Sequence, residues 1–208
     1  MSSAFRHVSE VGMSSQRKVA GDDPSVIWQP YEERLRQTEH PRRRQILETL
    51  IEHLRTETTG DLDGVMATVA PDAEFSGPQG PGPKGWDEVR AHYEAVFAAG
   101  GIGNASVKTH RIIVDDDAIV NEYTWTLILP WRLAQEQGFA ITEESGQYAV
   151  WQRVCTVLPF DAEGRLQGEI SYGGRMDPAD CERVPDDELS PGYLNWLENL
   201  PKDLIAGR

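Results

Sequence analysis

Gly60-Asp61-Leu62-Asp63-Gly64-Val65-Met66-Ala67-Thr68-Val69-Ala70-Pro71-Asp72-Ala73-Glu74-Phe75 carries the chain out of one helix, through a shorter one and straight into a strand. Upstream, over residues 42–58, Ile46, Leu47, Leu50, Ile51 and Leu54 form one apolar stripe at helical spacing. Pro41 suits the first turn of that helix, and Gly60 ends it as a left-handed cap. Asp61 is placed to cap the second helix, which runs through Val69. Pro71 and Asp72 then turn the chain into a strand over 73–75.

Working outward, residues 1–25 are rich in Ser, Gly and Asp and read as a loosely attached, partly disordered leader. A short helix over 26–37 follows, pinned by Trp28 and Tyr31. The stretch 77–85 holds four glycines and three prolines and reads as loop. A third main helix is predicted over 86–98, ended by Gly100 and Gly101. Strands over 107–114 and 118–129 flank the turn Asp115-Asp116-Asp117, and strands over 148–158 and 166–176 flank a second hairpin, Phe160-Asp161-Ala162-Glu163-Gly164. Helices followed by a meander make an α+β domain. We place an extension at 1–40, the domain at 41–180 and an acidic tail at 181–208, which Tyr193, Leu194, Trp196 and Leu197 dock as one or two helical turns.

Composition narrows the function. The 208 residues carry a net charge of −14, and only six of the 34 acidic but eight of the 20 basic side chains lie in residues 1–45. The remainder is strongly acidic, which disfavours nucleic acid and anionic membrane surfaces and favours neutral or cationic ligands. No apolar run approaches the roughly 20 residues of a membrane span. Cys155 and Cys181 belong to no metal or redox pattern, which fits a reducing cytoplasm. No two histidines have ligand spacing, the Asp115 triplet lacks the rest of a calcium loop, and the glycines of 77–85 do not open a phosphate-binding turn. Neither metal nor cofactor is expected.

The helix, short helix and strand of 42–75 resemble the opening of the nuclear-transport-factor-2-like (NTF2-like) superfamily, which includes SnoaL-like cyclases, ketosteroid isomerases, limonene epoxide hydrolases and scytalone dehydratases. The resemblance implies a cone: three N-terminal helices packed on a curved, mixed, mainly antiparallel sheet that encloses an apolar pocket. It also implies a homodimer through the outer sheet face, where Trp151 and Val157 would form an apolar patch unless helices or the tail cover it. Counted back from the strand at 73–75, His53 occupies the place of the isomerases' oxyanion-binding tyrosine. The other family groups are replaced. The isomerase base falls on Gly77 and its second acid near Thr156. The epoxide-hydrolase groups fall on Tyr123, Trp125 and near Gly174, and the dehydratase aspartate near Thr58.

Strand alternation selects the interior. One face of the long strand carries Ile119, Asn121, Tyr123, Trp125 and Leu127, the other Val120, Glu122, Thr124 and Thr126. On the last strand the inner set is Leu166, Gly168, Ile170, Tyr172, Gly174 and Met176, opposite Gln167, Glu169, Ser171, Gly173 and Arg175. The aromatics either fill a core or line a cavity; the resemblance implies the cavity. Candidate catalytic residues are His53, Tyr123, Tyr172 and Asp177, with Phe75, Trp86, Asn121, Trp125, Gln152 and Met176 as substrate contacts. His53 would move a proton, while Tyr123 or Tyr172 would donate to developing negative charge and Asn121 and Gln152 orient the same oxygen. The plain alternatives are a water-satisfied His53 on the helix shoulder and an Asp177 that caps the turn at Pro178. His110 reads equally well on either face. The reading is a cofactor-free lyase or isomerase of a small hydrophobic oxygenated molecule (terpenoid, steroid or polyketide), or a non-catalytic binder of such a molecule with the same fold.

Overall fold

The computed structural model describes residues 23–77, 80–173, 177–200 and 202. A 3-10 turn, Pro24–Ile27, leads into α1, Gln29–Arg36, whose Tyr31 is buried. The long helix α2 is Pro41–Thr59, with proline in its first turn. It stops where Gly60 enters the left-handed region at φ 73° and the Asp61 amide donates to the Thr56 carbonyl at 2.9 Å. Asp61 then caps α3, Leu62–Ala67, its Oδ1 accepting from the Gly64 amide at 3.0 Å.

The first strands are β1, Glu74–Gly77, and β2, Gly80–Lys84, which pair antiparallel. The glycine- and proline-rich stretch is therefore a hairpin arm and not a loop throughout. Its composition suits an edge strand, because a proline without an N–H is tolerated where one side of the ladder is unpaired. Helix α4, Trp86–Ala98, precedes the long meander of β3 (Ala105–Val114), β4 (Ala118–Pro130) and β5 (Gln147–Pro159). Helix α5, Trp131–Glu136, lies in the β4–β5 connection, where the sequence reading has no element.

After the Phe160 turn the expected strand over 166–176 is interrupted. Leu166 makes isolated bridges to Val69 and Phe160, and ladder pairing resumes only in β6, Ile170–Gly173. Residues 174–176, including the Met176 contact expected from the sequence, lie outside the described residues. Beyond them come β7, Cys181–Val184, a 3-10 turn and α6, Pro191–Asn199.

The sheet runs β2-β1-β6-β5-β4-β3, with β7 pairing β5 ahead of β6. All neighbours are antiparallel except β1 and β6. It is the mixed, curved sheet of the NTF2-like fold, and α2 lies across its inner face. There Ile46, Leu47, Leu50 and Ile51 pack with Ile119, Leu158, Phe160 and Leu166. A second cluster joins α3 and α4 to β1 through Val65, Met66, Val69, Phe75, Val89 and Tyr93.

The tail supplies structure of its own. Tyr193 is buried against Ile128 and Ala149 on the outer face, and its hydroxyl donates to Gln147 at 2.6 Å. A further outer row lies outside this cluster: Ile113, Val120, Val157 and Ile170 are successive cross-strand neighbours, and Ile113 is 52 % exposed.

One close approach fixes the parallel closure. A Cβ on Gly168 would stand 2.0 Å from the Glu74 carbonyl oxygen, so the segment before β6 can lie on β1 only if residue 168 has no side chain. Gly168→Ala is expected to destabilise the fold by at least about 1–3 kcal/mol, because the obstacle is backbone. Chemical denaturation followed by circular dichroism measures this, and a wild-type midpoint would contradict the account.

Candidate functional site

A cavity of about 290 Å³ opens between α1, α2 and the inner sheet face. Its floor comes from β3–β5: Val107, Asn121, Tyr123, Trp125, Gln152 and Thr156. Leu50, Leu54 and Glu57 of α2 face them, since positions i, i+4 and i+7 share one side of a helix. Tyr31 closes one wall, and Glu169 and Ser171 supply another. A second cavity of about 380 Å³ shares Trp125 and Gln152 with the first and continues toward Phe139 and Trp151.

Glu169 reaches the interior because the backbone changes parity. The Leu166 and Gln167 carbonyls, though consecutive, both accept from the β1 side, from the amides of Ala70 and Glu74 at 2.8 Å each. In a regular strand successive carbonyls point to opposite edges. The irregularity reverses the alternation: Leu166 is inside, and so are Glu169 and Ser171, while Tyr172 is 63 % exposed. The inner set expected from the sequence is thus corrected from Gly168 onward, and Tyr172 is removed from the cavity.

Behind this wall lies a hydrogen-bonded chain. His53 has no exposed surface and does not line the cavity. The Thr68 hydroxyl donates to the Val65 carbonyl at 2.6 Å, so its oxygen accepts from His53 Nδ1–H at 2.7 Å. In the neutral ring Nε2 then accepts from the Tyr93 hydroxyl at 3.0 Å. Glu169 Oε1 lies 3.3 Å from the same Nε2 and is positioned to accept from it when the ring is protonated. The Glu169 side chain is 33 % exposed and lines the cavity, so it connects the cavity to the buried His53.

The two carboxylates interact electrostatically. Burial first and the charge of Glu169 second push Glu57 up to about 7, against the opposing pull of His53. Burial, with the nearby carboxylate charge, also raises Tyr31, Tyr93 and Tyr123, which keeps their hydroxyls protonated as donors. The Tyr123 hydroxyl meets Thr156 Oγ1 at 3.1 Å. Asn121 is 6 % exposed, and among the described residues its Oδ1 has no hydrogen-bond partner. A buried amide oxygen left without a donor costs about 1–3 kcal/mol, which a ligand O–H or N–H would remove.

Of the residues expected from the sequence, Asn121, Tyr123, Trp125 and Gln152 line the cavity. Phe75 instead packs in the core against Tyr93, and Trp86 stands exposed at the start of α4. Asp177 Oδ1 accepts from the Ala179 amide at 2.9 Å, so this exposed residue holds the turn after β6. His110 is exposed on the outer face, with Nε2 2.8 Å from Thr124 Oγ1. The sequence reading missed Glu57, Glu169, Tyr31 and Tyr93. Glu57 was signalled by its position on the apolar stripe of α2; Glu169 had no local signal. Among the described residues, no group of three or more His, Cys, Asp and Glu side chains is arranged to hold a metal ion.

The SnoaL-like domain family matches residues 50–168, more than half of the chain. The protein therefore belongs to the SnoaL-like family of the NTF2-like superfamily. Among solved structures, Bal32a from a soil-derived mobile gene cassette is 16 % identical over 67 % of this chain and 96 % of its own, with a TM-score of 0.47. An NTF2-like protein of unknown function from Burkholderia pseudomallei is 21 % identical over 65 % and 92 %, with a TM-score of 0.44. TerC, co-crystallised with polyporic acid, is 12 % identical over 62 % and 92 %, at 0.45. No curated protein matches the sequence.

The raised Glu57 has a consequence for stability. Between the ordinary carboxylate value of 4.5 and about 7 the folded state holds a proton that the unfolded state has released. Stability therefore falls as pH rises through this window. Glu57→Gln removes the ionisation and is expected to melt a few degrees above wild type at pH 8, corresponding to about 1–3 kcal/mol. The difference should shrink toward pH 5. Thermal melts of both proteins at the two pH values provide the check; a constant difference contradicts it.

Proposed function

We propose that this protein is a cofactor-free lyase or isomerase acting on a small hydrophobic oxygenated molecule, of terpenoid, steroid or polyketide type, by acid–base chemistry in its cavity. The observation that carries this reading is the pair of wall carboxylates, Glu57 and Glu169, one of them backed by the buried His53. The family is consistent with small-molecule isomerase or binding function.

In this reading Glu169 removes a proton beside the substrate's oxygenated carbon. His53 Nε2, 3.3 Å behind, accepts that proton and returns it, held in register by Thr68 and Tyr93. Charge developing on the substrate oxygen is met by a hydroxyl of Tyr31 or Tyr123. Asn121 Oδ1 orients a substrate hydroxyl through the bond it lacks in the free protein. Glu57, raised to about 7, holds or releases a proton near neutrality. The same reading includes a homodimer across the outer row of Ile113, Val120, Val157 and Ile170.

The test is turnover of a panel of apolar enones, hydroxy-ketones and epoxides, analysed by gas chromatography–mass spectrometry without added cofactor. Glu169→Gln is expected to lower kcat about 10²–10⁴-fold. His53→Ala should slow the reaction and change the shape of its pH profile, while Tyr172→Phe and Asp177→Asn keep wild-type rates. Full turnover in both Glu169→Gln and His53→Ala defeats the assignment. Saturable binding with no turnover across the panel favours a non-catalytic binding protein.

A further inference from the structure

The cavity wall is chemically one-sided. Glu57 from α2 and Glu169 from the segment before β6 face it, with His53 behind the latter. The strands β3, β4 and β5 present neutral groups there, among them Asn121, Tyr123, Trp125 and Gln152. No lysine or arginine is among the described lining residues. The basic side chains of β5 and β3 point elsewhere: Arg153 pairs with Glu122 on the outer face at 2.7 Å, and Lys108 is exposed. To two carboxylates is added a buried acceptor, Asn121 Oδ1, left without a donor. Three aromatic residues, Tyr31, Tyr123 and Trp125, share the lining with aliphatic side chains such as Leu50, Leu54 and Val154.

Acceptors and anionic oxygens facing an aromatic wall are complementary to a ligand that brings N–H donors and positive charge. A neutral terpenoid satisfies Asn121 but brings no counter-charge to the two carboxyl groups. A carboxylate or phosphate ligand meets repulsion from both. The overall charge of −14 draws cations to the molecule and repels anions.

We infer that the ligand of this cavity is an amine, cationic at neutral pH and carried on an apolar skeleton, with its ammonium group between Glu57 and Glu169 and an N–H or O–H on Asn121. This rests on the cavity being the ligand site, as in the proposed function, and not on turnover. In the free protein the proton on Glu57 relieves the repulsion; the ammonium replaces it, so binding releases a proton below about pH 7. Both carboxylates are then ionised, one serving as counter-ion and the other available as base.

The experiment is isothermal titration calorimetry on the full chain with three probes of similar size: 2-phenylethylamine, 2-phenylethanol and 3-phenylpropionate. The amine is expected to bind at least about tenfold more tightly than the alcohol, with 3-phenylpropionate undetected. Affinity for the amine should fall about thirtyfold between pH 8 and pH 5.5, with about one proton released at the lower pH. Buffers of different ionisation enthalpy report that proton. Glu169→Gln should remove most of the preference for the amine over the alcohol. An alcohol that binds as well as the amine, or no amine binding at millimolar concentration, overturns the inference even if neutral substrates are turned over. Selective amine binding without turnover supports it while removing the catalytic reading. Both comparisons use the wild-type chain, so they hold even if a variant fails to fold.

Discussion

The contact between Gly168 and the backbone of Glu74 is the constraint on which the rest depends. It allows the segment that precedes β6 to lie parallel to β1, so the two ends of the domain close on each other. Parallel pairing needs a long crossover, and here the crossover is most of the domain: α4 and the three-stranded meander. The contact also sets which way the next side chain points. With Leu166 and Gln167 both bonded toward β1, Glu169 turns inward and meets His53. The same backbone contacts thus close the fold and orient Glu169.

The site then follows from electrostatics in a confined space. Burial first, and the charge of the neighbouring Glu169 second, shift Glu57 toward neutrality. The histidine lies in direct contact with Glu169 and draws on Glu57 only through its charge. Its Nδ1 is committed to Thr68 and its Nε2 is shared between a tyrosine hydroxyl and Glu169. This arrangement makes His53 a partner of the wall residue instead of a wall residue itself.

The outer face shows how the tail divides the molecule's surface. Tyr193, Leu189, Trp196 and Leu197 cover Ile128 and Ala149 near the β4–β5 turn-around. The row of Ile113, Val120, Val157 and Ile170 at the other end of the strands stays outside that cover. Of the two expectations for the sheet surface, cover by the tail applies to the part around Ile128 and Ala149.

What the sequence determined by itself is what local physics controls. Helical periodicity, Pro41, Gly60 and Asp61 set α2 and α3; the Asp115 triplet and the Gly164 turn set two hairpins; and alternation in β4 put Asn121, Tyr123 and Trp125 on the inner face. Each of these depends on residues a few positions apart. Where pairing was nonlocal the sequence was silent or misleading. Its alternation rule, applied across 166–176 as though the strand were regular, sent Glu169 outward and Tyr172 inward. The stretch 80–84 became a strand because β1 offered it a partner. Only the tertiary structure decided the parity of Glu169, because that parity is set by which neighbour its backbone bonds to, and the neighbour lies some ninety residues away along the chain.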